Sequence, residues 1–228
     1  SSSSWSWPWP SRPTAPSSFS SRASPSSSPG PEAAPGLDGR PFRAKTWGVD
    51  AFKRNLEKLA ELAIRVGLNL EKGQEVIATA PIEAVDFVRL LAEKAYREGA
   101  SLFTVIYGDQ ELARKRLALA PEEGLDKAPA WLYEGMARAF REGAARLAVS
   151  GSDPKALEGL PPEKVGRAQK ANARAYKPAL EAITEFVTNW TIVPFAHPGW
   201  ARAVFPGLPE EEAVRRLWEA IFQATRAD

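Results

Sequence analysis

The stretch that decides the fold is WTIVPFAHPGWARAVFP, which spans residues 190–206. Its first part, from Thr191 to Val193, is an apolar β-branched run typical of a buried strand, and Pro194 ends that run. The triplet His-Pro-Gly at residues 197–199 predicts a turn, and a short helix that carries Trp200 follows it. We interpret the stretch as the end of a strand that delivers aromatic side chains to the edge of a sheet.

Three earlier segments have the same strand character and alternate with helical patterns. Strands are predicted at residues 75–80, 101–107, 146–150 and 189–195. Helices are predicted over about 51–66, from Pro81 to residue 99, from Asp109, over about 128–142, and from Pro162 as a long helix broken near Pro178. This order, with short connections, favours an α/β fold in which a parallel sheet of about four strands has helices on both faces.

Two of the predicted helices have a clear apolar face. In the first helix that face consists of Leu56, Leu59, Ala60, Ala63 and Val66, and Gly67 is the expected left-handed stop. In the helix over residues 128–142, the residues expected to point inward are Trp131, Leu132, Met136, Ala139 and Phe140.

Composition excludes several classes of function. The chain has 228 residues, is 44% hydrophobic, and contains one histidine and no cysteine, so zinc–thiolate sites, thiol nucleophiles and multi-histidine metal sites are excluded. Residues 50–228 carry a formal charge of −1, so no basic field predicts nucleic-acid binding. With no apolar run of membrane length and no signal-peptide core, we predict a cytoplasmic protein with no membrane partner.

Residues 1–49 differ from the rest because Ser and Pro dominate them and no periodicity is present. Such a segment cannot bury enough apolar surface to fold, so we predict disorder there and a globular domain over residues 50–228. The alternation of Trp and Pro at residues 5–10 would suit a polyproline docking arm. The competing hypothesis is that residues 1–48 are not native and that Val49 is the initiator, which peptides N-terminal to Val49 in the natural protein would contradict.

The carboxyl ends of the predicted strands are where a parallel sheet binds ligands. Thr79-Ala80-Pro81 lacks the glycines of a nucleotide loop, which argues against a phosphate site there. Asp109 could bond a ribose, but helix capping is favoured. The run Ser150-Gly151-Ser152-Asp153 suits an anion nest or a plain helix start, and both remain open.

His197 invites a catalytic interpretation because it is the only imidazole in the chain and follows a strand. No Gly-x-Ser-x-Gly motif supplies a nucleophile, so a partly exposed turn histidine is favoured. Glu210, Glu211 and Glu212 look like a cation site, but contiguous carboxylates in a first helical turn cannot all face one ion, and we interpret them as structural.

Two further groups of residues have a functional and a structural interpretation. A basic stripe with little acidic relief lies on one helix face and would bind an acidic partner or the missing half of the protein, or simply form a solvated surface, which is favoured. It comprises Lys164, Arg167, Lys170, Arg174 and Lys177. An aromatic set would line a substrate pocket or belong to the core or an interdomain contact; it comprises Trp190, Trp200, Phe205, Trp218 and Phe222.

Three segments taken together carry a resemblance to a known family. They are residues 83–99 with the strand that follows, residues 190–206, and residues 217–226. In this combination the chain resembles the thermophilic metallo-aminopeptidase family of the aminopeptidase T and aminopeptidase S type, over residues 50–228 and the N-terminal half only. The extra N-terminal segment and the stop at Asp228 depart from the family pattern.

The resemblance implies a two-domain, dimeric enzyme that releases N-terminal amino acids from peptides. Its second domain would hold two divalent metal ions (cobalt, zinc or magnesium) on glutamates, histidines and an aspartate, with an assisting tyrosine. The ions would polarise the scissile carbonyl and lower the pKa of a bound water. For this chain we therefore expect no catalytic, cofactor-binding or metal-binding residue, and no activity without the second domain.

Two other classes stay open. A free-standing flavodoxin-like binding module would need a phosphate loop that the sequence lacks. A scaffold or dimerisation module is compatible with exposure of Trp200, Phe205 and Trp218 when a second domain is missing.

Overall fold

The computed structural model describes residues 48–228. Its centre is a sheet of four parallel strands, β1 (Glu75–Pro81), β2 (Leu102–Gly108), β3 (Ala145–Ser150) and β4 (Trp190–Pro194), in the order β2-β1-β3-β4. The predicted α/β fold with four parallel strands is confirmed. Among the described residues, no helix combines the length and apolarity needed to cross a bilayer.

The helices lie on both faces of the sheet, as predicted. They are α1 (Val49–Glu61), α2 (Val85–Arg97), α3 (Gln110–Leu119), α4 (Glu122–Leu125), α5 (Ala130–Arg141), α6 (Pro162–Thr184), α7 (Pro198–Val204) and α8 (Glu210–Thr225). One face of the sheet, called face I, carries Val76, Leu147 and Val193 and packs on α1, α2, α7 and α8. The opposite face, called face II, carries Ile77 and packs on α5 and α6.

An aromatic cluster fills the core between face I and its helices. The Trp218 and Phe222 rings of α8 stack with centroids 5.4 Å apart. Phe52 of α1 meets both rings edge-on, with centroids 5.8 and 5.6 Å away. Phe87 of α2 lies 5.9 Å from the Trp218 ring. Edge-to-face and offset contacts of this kind stabilise beyond simple area burial, so the cluster holds α8 against α1 and α2.

The end of the first helix differs from the prediction. After α1 the chain makes a π turn, Leu62–Gly67, which winds one residue more than an α-helix does. The extra residue rotates Val66 into solvent and brings Leu68 into the core. Gly67 is not a left-handed stop, because the positive φ belongs to Asn69, at 49°. Gly67 is needed for space instead, since a Cβ there would lie 2.6 Å from the Thr191 Oγ1 of β4.

Three smaller expectations about the helices are also wrong. Pro81 ends β1, and a single 3₁₀ turn precedes α2. Trp131 is exposed rather than inward, because it lies on the side of α5 opposite the core residue Phe140. Helix α6 runs unbroken through Pro178. Proline there removes only the bond to the Arg174 carbonyl, and the packing of α6 on α5 holds the helix together.

The predicted disorder of residues 1–49, and the competing idea of a docking arm, concern a segment that lies outside the described residues except for its last two positions. Gly48 is the N-cap of α1 and Val49 is the first helical residue. The first described helix therefore begins one residue before the predicted boundary at residue 50, and the division at that boundary stays a prediction.

Candidate functional site

The carboxyl edge of the sheet is the first place to look for a site. In the observed strand order, β2 is added on one side of β1, whereas β3 and β4 are added on the other side, so the order of strands reverses between β1 and β3. Ligands of open α/β sheets bind in the crevice at such a reversal. Here the crevice is bounded by the turn after β1, which carries Glu83, and by the loop after β3, which carries Asp153.

A side chain from the start of α3 closes this crevice. Gln110, which follows β2, donates from Nε2 to the Asp153 carbonyl at 3.2 Å and accepts from the Asp153 N–H at 2.9 Å. Because β1 lies between β2 and β3, this pair of hydrogen bonds passes over the end of β1. One of the backbone N–H groups that an anion nest over residues 150–153 would offer, that of Asp153, is thus already used, which argues against the nest interpretation.

Asp109 is a helix cap. Its Oδ1 accepts from the backbone N–H groups of Glu111 at 2.8 Å and Leu112 at 3.0 Å, at the start of α3. This confirms the predicted capping role. Asp153 does not start a helix: its Oδ1 accepts from the Lys155 N–H at 2.8 Å, the following residues form turns, and α6 begins only at Pro162.

His197 is buried, with 7% of its surface exposed, so the expectation of a partly exposed turn histidine is wrong. Its Nδ1 accepts from the Gly199 N–H at 3.0 Å, which makes the imidazole the N-cap of α7. The neutral ring must then carry its proton on Nε2, which faces the Glu83 Oε1 at 3.6 Å. That separation is longer than the donor–acceptor distance of a hydrogen bond. The imidazole's available lone pair is committed to a backbone amide, which suits capping rather than proton abstraction.

The loop after β3 is pressed against the start of α7 and the end of β4. A Cβ at Gly199 would lie 2.2 Å from the Asp153 Cβ, and a Cβ at Gly151 would lie 2.1 Å from the Phe195 carbonyl oxygen. Arg202 of α7 adds a bond from its guanidinium to the Asp153 Oδ2 at 3.3 Å. The ends of β3 and β4 are thus joined without room for a ligand between them.

Gln110, Glu83 and Arg202 were not among the residues singled out by sequence. Each acts through a partner more than 40 positions away in the chain. No local pattern marks them; the only signal is that they follow or flank strand ends, which the strand order then brings together.

The acidic run at the start of α8 is held by arginines. Glu210 pairs with Arg202. Glu212 accepts from Arg215 Nε and Arg216 Nε, each at 2.9 Å, and these bonds lower its pKa to about 2. Arg215 also pairs with the buried Glu219, whose pKa is raised because burial disfavours the ionised carboxyl. These contacts agree with the structural interpretation of residues 210–212.

Part of the basic stripe on α6 is paired, contrary to the expectation of little acidic relief. Arg167 lies 2.5 Å from both Glu122 Oε2 and Asp126 Oδ2 of α4, and Lys164 lies 3.1 Å from Glu122 Oε1. The bonds from Lys164 and Arg167 lower the pKa values of the Glu122 and Asp126 carboxyls, respectively. Lys164 and Arg167 of the stripe therefore hold α4 against the first turns of α6. Lys170 and Arg174 follow on the same helix, and Lys177 lies 3.6 Å from Glu181.

The aromatic set divides between core and surface. Trp218 and Phe222 are buried, so the predicted exposure of Trp218 is wrong, and the core interpretation holds for both. Trp200 and Phe205 are half-buried against the same core. Trp190 lies apart from them on β4 and is partly exposed. The five residues do not converge on one pocket.

A metal site was tested against the side chains present. Within residues 48–228, no three His, Asp or Glu side chains are grouped so that they could hold a metal ion. Near the carboxyl edge, Asp153 and Glu210 are engaged by Arg202 and Asp109 by backbone N–H groups. The described residues therefore do not fit the two-ion site that the family resemblance implies, and the absence of catalytic, cofactor and metal residues from the chain stays a prediction.

Comparison with known proteins agrees with the resemblance. A family model described as thermophilic metalloprotease (M29) matches residues 52–228. Over 180 residues, or 79% of the chain, it is 99% identical to aminopeptidase T of Thermus thermophilus and 83% identical to aminopeptidase T of Thermus aquaticus. It is 39% identical to aminopeptidase AmpS of Bacillus subtilis over the same length. The chain spans 44% of each of these relatives, less than half their length.

Proposed function

We propose that this chain, which belongs to the thermophilic metalloprotease (M29) family, is the N-terminal α/β domain of a metal-dependent aminopeptidase and is inactive by itself. The complete enzyme would release N-terminal amino acids from peptides and use cobalt, zinc or magnesium ions. It would act in the cytoplasm as a homodimer, without nucleic-acid or membrane partners. The observation that carries the proposal is the match of 180 residues to proteins named aminopeptidases.

The division of labour between the two parts follows from the candidate site. A hydrolytic two-metal site needs several carboxylate or imidazole ligands arranged around open coordination positions. At the carboxyl edge, Asp109 and His197 are instead used as helix caps, and Glu210 pairs with Arg202. A domain of this kind can position a neighbour, while the ligands come from the sequence that the match does not cover.

The test compares two polypeptides in leucine-amide hydrolysis, each with added cobalt or zinc and with a chelator control. The first is this chain, and the second is this chain extended by the part of the Thermus thermophilus relative that lies outside the match. We expect hydrolysis only by the extended chain, and its loss with the chelator. Chelator-sensitive hydrolysis by the short chain would overturn the assignment of the catalytic residues to the other part.

A non-catalytic binding or dimerisation module is the second candidate, because large apolar side chains of β4 are exposed. The bridge from Gln110 to Asp153 argues against a nucleotide-binding module, since it occupies the crevice where the ligand would sit. Size-exclusion chromatography of the short chain over a range of concentrations distinguishes a dimerisation module, which elutes as a stable dimer, from a domain that needs a different partner.

A further inference from the structure

We propose that face II of β4 and the loop before it form a docking surface for the part of an M29 protein that lies outside the matched region. This surface, called the β4 patch, consists of Phe186, Val187, Trp190 and Ile192. The inference rests on the proposed function, because its occupant is the second part of the same enzyme.

The β4 patch exists because, among residues 48–228, the helices on face II pack on Ile77 of β1 and not on β4. Trp190 and Ile192 pair in register with Arg146 and Ala148 of β3. Ala148 is buried, whereas Trp190 keeps 38% and Ile192 keeps 54% of its surface in solvent. Val193 points to face I, and its exposed fraction is only 3%. A strand buried on one face and bare and apolar on the other is typical of a sheet that lacks one covering element.

The loop before β4 adds apolar surface in a conformation that side chains avoid. Phe186 has a φ of 55°, in the left-handed region that favours glycine, and its N–H donates to the Ile183 carbonyl at 3.2 Å. Its side chain is 78% exposed, and its neighbour Val187 is exposed as well. This backbone conformation ends α6, because the Val187 N–H also donates to the Ala182 carbonyl at 3.0 Å. Glycine would make the same turn with less strain, so the exposed aromatic side chain adds nothing to the turn, and its benefit is expected at an interface.

The relatives indicate what covers the patch. Since the match accounts for 44% of their length, more than half of such a protein is available to pack against this domain. A fifth parallel strand beside β4 is disfavoured as the cover. Helix α6 leads from β3 to β4 over face II, and a right-handed crossover continuing in that direction would need another helix on face II. Helix α8 lies on face I. The occupant is therefore an apolar segment that packs on face II.

Alkylation of a single introduced cysteine tests this directly, because the chain has no cysteine of its own. The variant is Ile192→Cys, and the matched control is Leu119→Cys, at an exposed leucine of α3. Each is made in this chain and in the chain extended by the rest of the Thermus thermophilus relative, and modification is read for each peptide by mass spectrometry. We expect alkylation at position 192 to slow at least about tenfold in the extended chain and alkylation at position 119 to stay unchanged.

Equal rates at position 192 in the two polypeptides would overturn the proposal. So would protection in the short chain that disappears on dilution, because that result identifies a second copy as the occupant. Leucine-amide hydrolysis by the same samples separates the two ideas. If the extended chain is active but position 192 is not protected, the proposed function stands and the docking surface is contradicted. If position 192 is protected but the extended chain is inactive, the docking surface stands and the proposed function is contradicted.

Phe186→Gly gives an independent measurement, since glycine tolerates the observed φ. In the short chain we expect its melting temperature to stay the same or rise. In the extended chain we expect a fall, because the aromatic contact is lost. A fall of equal size in both polypeptides would show that Phe186 serves the domain itself and would contradict the proposal.

Discussion

The carboxyl edge of the sheet and the β4 patch have opposite characters. At the edge, the polar side chains already have hydrogen-bond partners within the domain: Gln110 and Arg202 bond to Asp153, and His197 caps α7. At the patch, the apolar side chains of Trp190 and Ile192 are left without cover among the described residues. The usual ligand-binding position of this fold is closed, while an unusual one is open. The difference supports our proposal that the domain joins another protein surface rather than binding a small ligand at this edge.

The strongest test of the closed edge is Gly151→Ala. Its Cβ would lie 2.1 Å from the Phe195 carbonyl oxygen, a backbone atom that cannot swing aside. We expect a loss of about 3 kcal/mol in the free energy of unfolding, measured with denaturant. The control is Gly135→Ala in α5, where a Cβ would meet nothing within 4 Å and helix propensity predicts no loss. Equal stability of the two variants would mean that the edge is looser than described.

Two neighbouring residues of β4 compare its faces. Val193→Ala opens a cavity in the core on face I and should cost about 2 kcal/mol of unfolding free energy. Ile192→Ala removes a side chain that is 54% exposed, so its cost in this chain should be less than about 1 kcal/mol. Chemical denaturation of both variants measures the difference. A larger loss for Ile192→Ala than for Val193→Ala would mean that β4 is covered on face II and not on face I, and would contradict the structure.

The cap at His197 is the next largest effect at the edge. His197→Ala leaves the Gly199 N–H without its acceptor and should cost about 1 kcal/mol. His197→Asn keeps a short acceptor at the N-cap and should recover most of that loss. Thermal unfolding of the two variants decides between capping and simple burial of the ring. If Asn is no better than Ala, the ring contributes by packing and not by its Nδ1.

The smallest expected effect concerns acid stability at α8. The pKa of Glu212 is lowered to about 2, so the folded state is favoured by its ionised form above the ordinary pKa of 4.5. That stability is lost as the pH falls from 4.5 towards 2. Glu212→Gln should therefore flatten the pH dependence of unfolding in this window, by less than about 1 kcal/mol because the pair is partly solvated. Glu211→Gln, on the exposed side of the same turn, should leave the profile unchanged.

The sequence carried enough information for the strands and for one cap. Apolar β-branched runs bounded by Gly and Pro located all four strands to within about two residues, because such runs have few other stable environments. Asp109 was recognised as a cap because its partners lie two and three residues away. Both features depend on residues close together in the chain, so a single sequence is enough to predict them.

What the sequence could not give depends on distant parts of the chain. The bond from Gln110 to Asp153 joins residues 43 apart and exists only because β1 separates β2 from β3. The burial of His197 depends on Glu83 and α7 meeting at the end of the sheet. The pairing of Arg167 with Glu122 and Asp126 likewise requires α4 to fold back on α6, so a stripe that is basic in sequence is partly neutral in space.

The π turn at Leu62–Gly67 makes this segment a place where chain length can change. Because it winds one residue more than an α-helix, deleting a single residue from it would let α1 continue regularly with the strands of the sheet undisturbed. The same deletion in β1 would exchange the residues of face I with those of face II. Gaps of one position among M29 sequences should therefore collect in the π turn, and a one-residue deletion there should be the best tolerated in the domain.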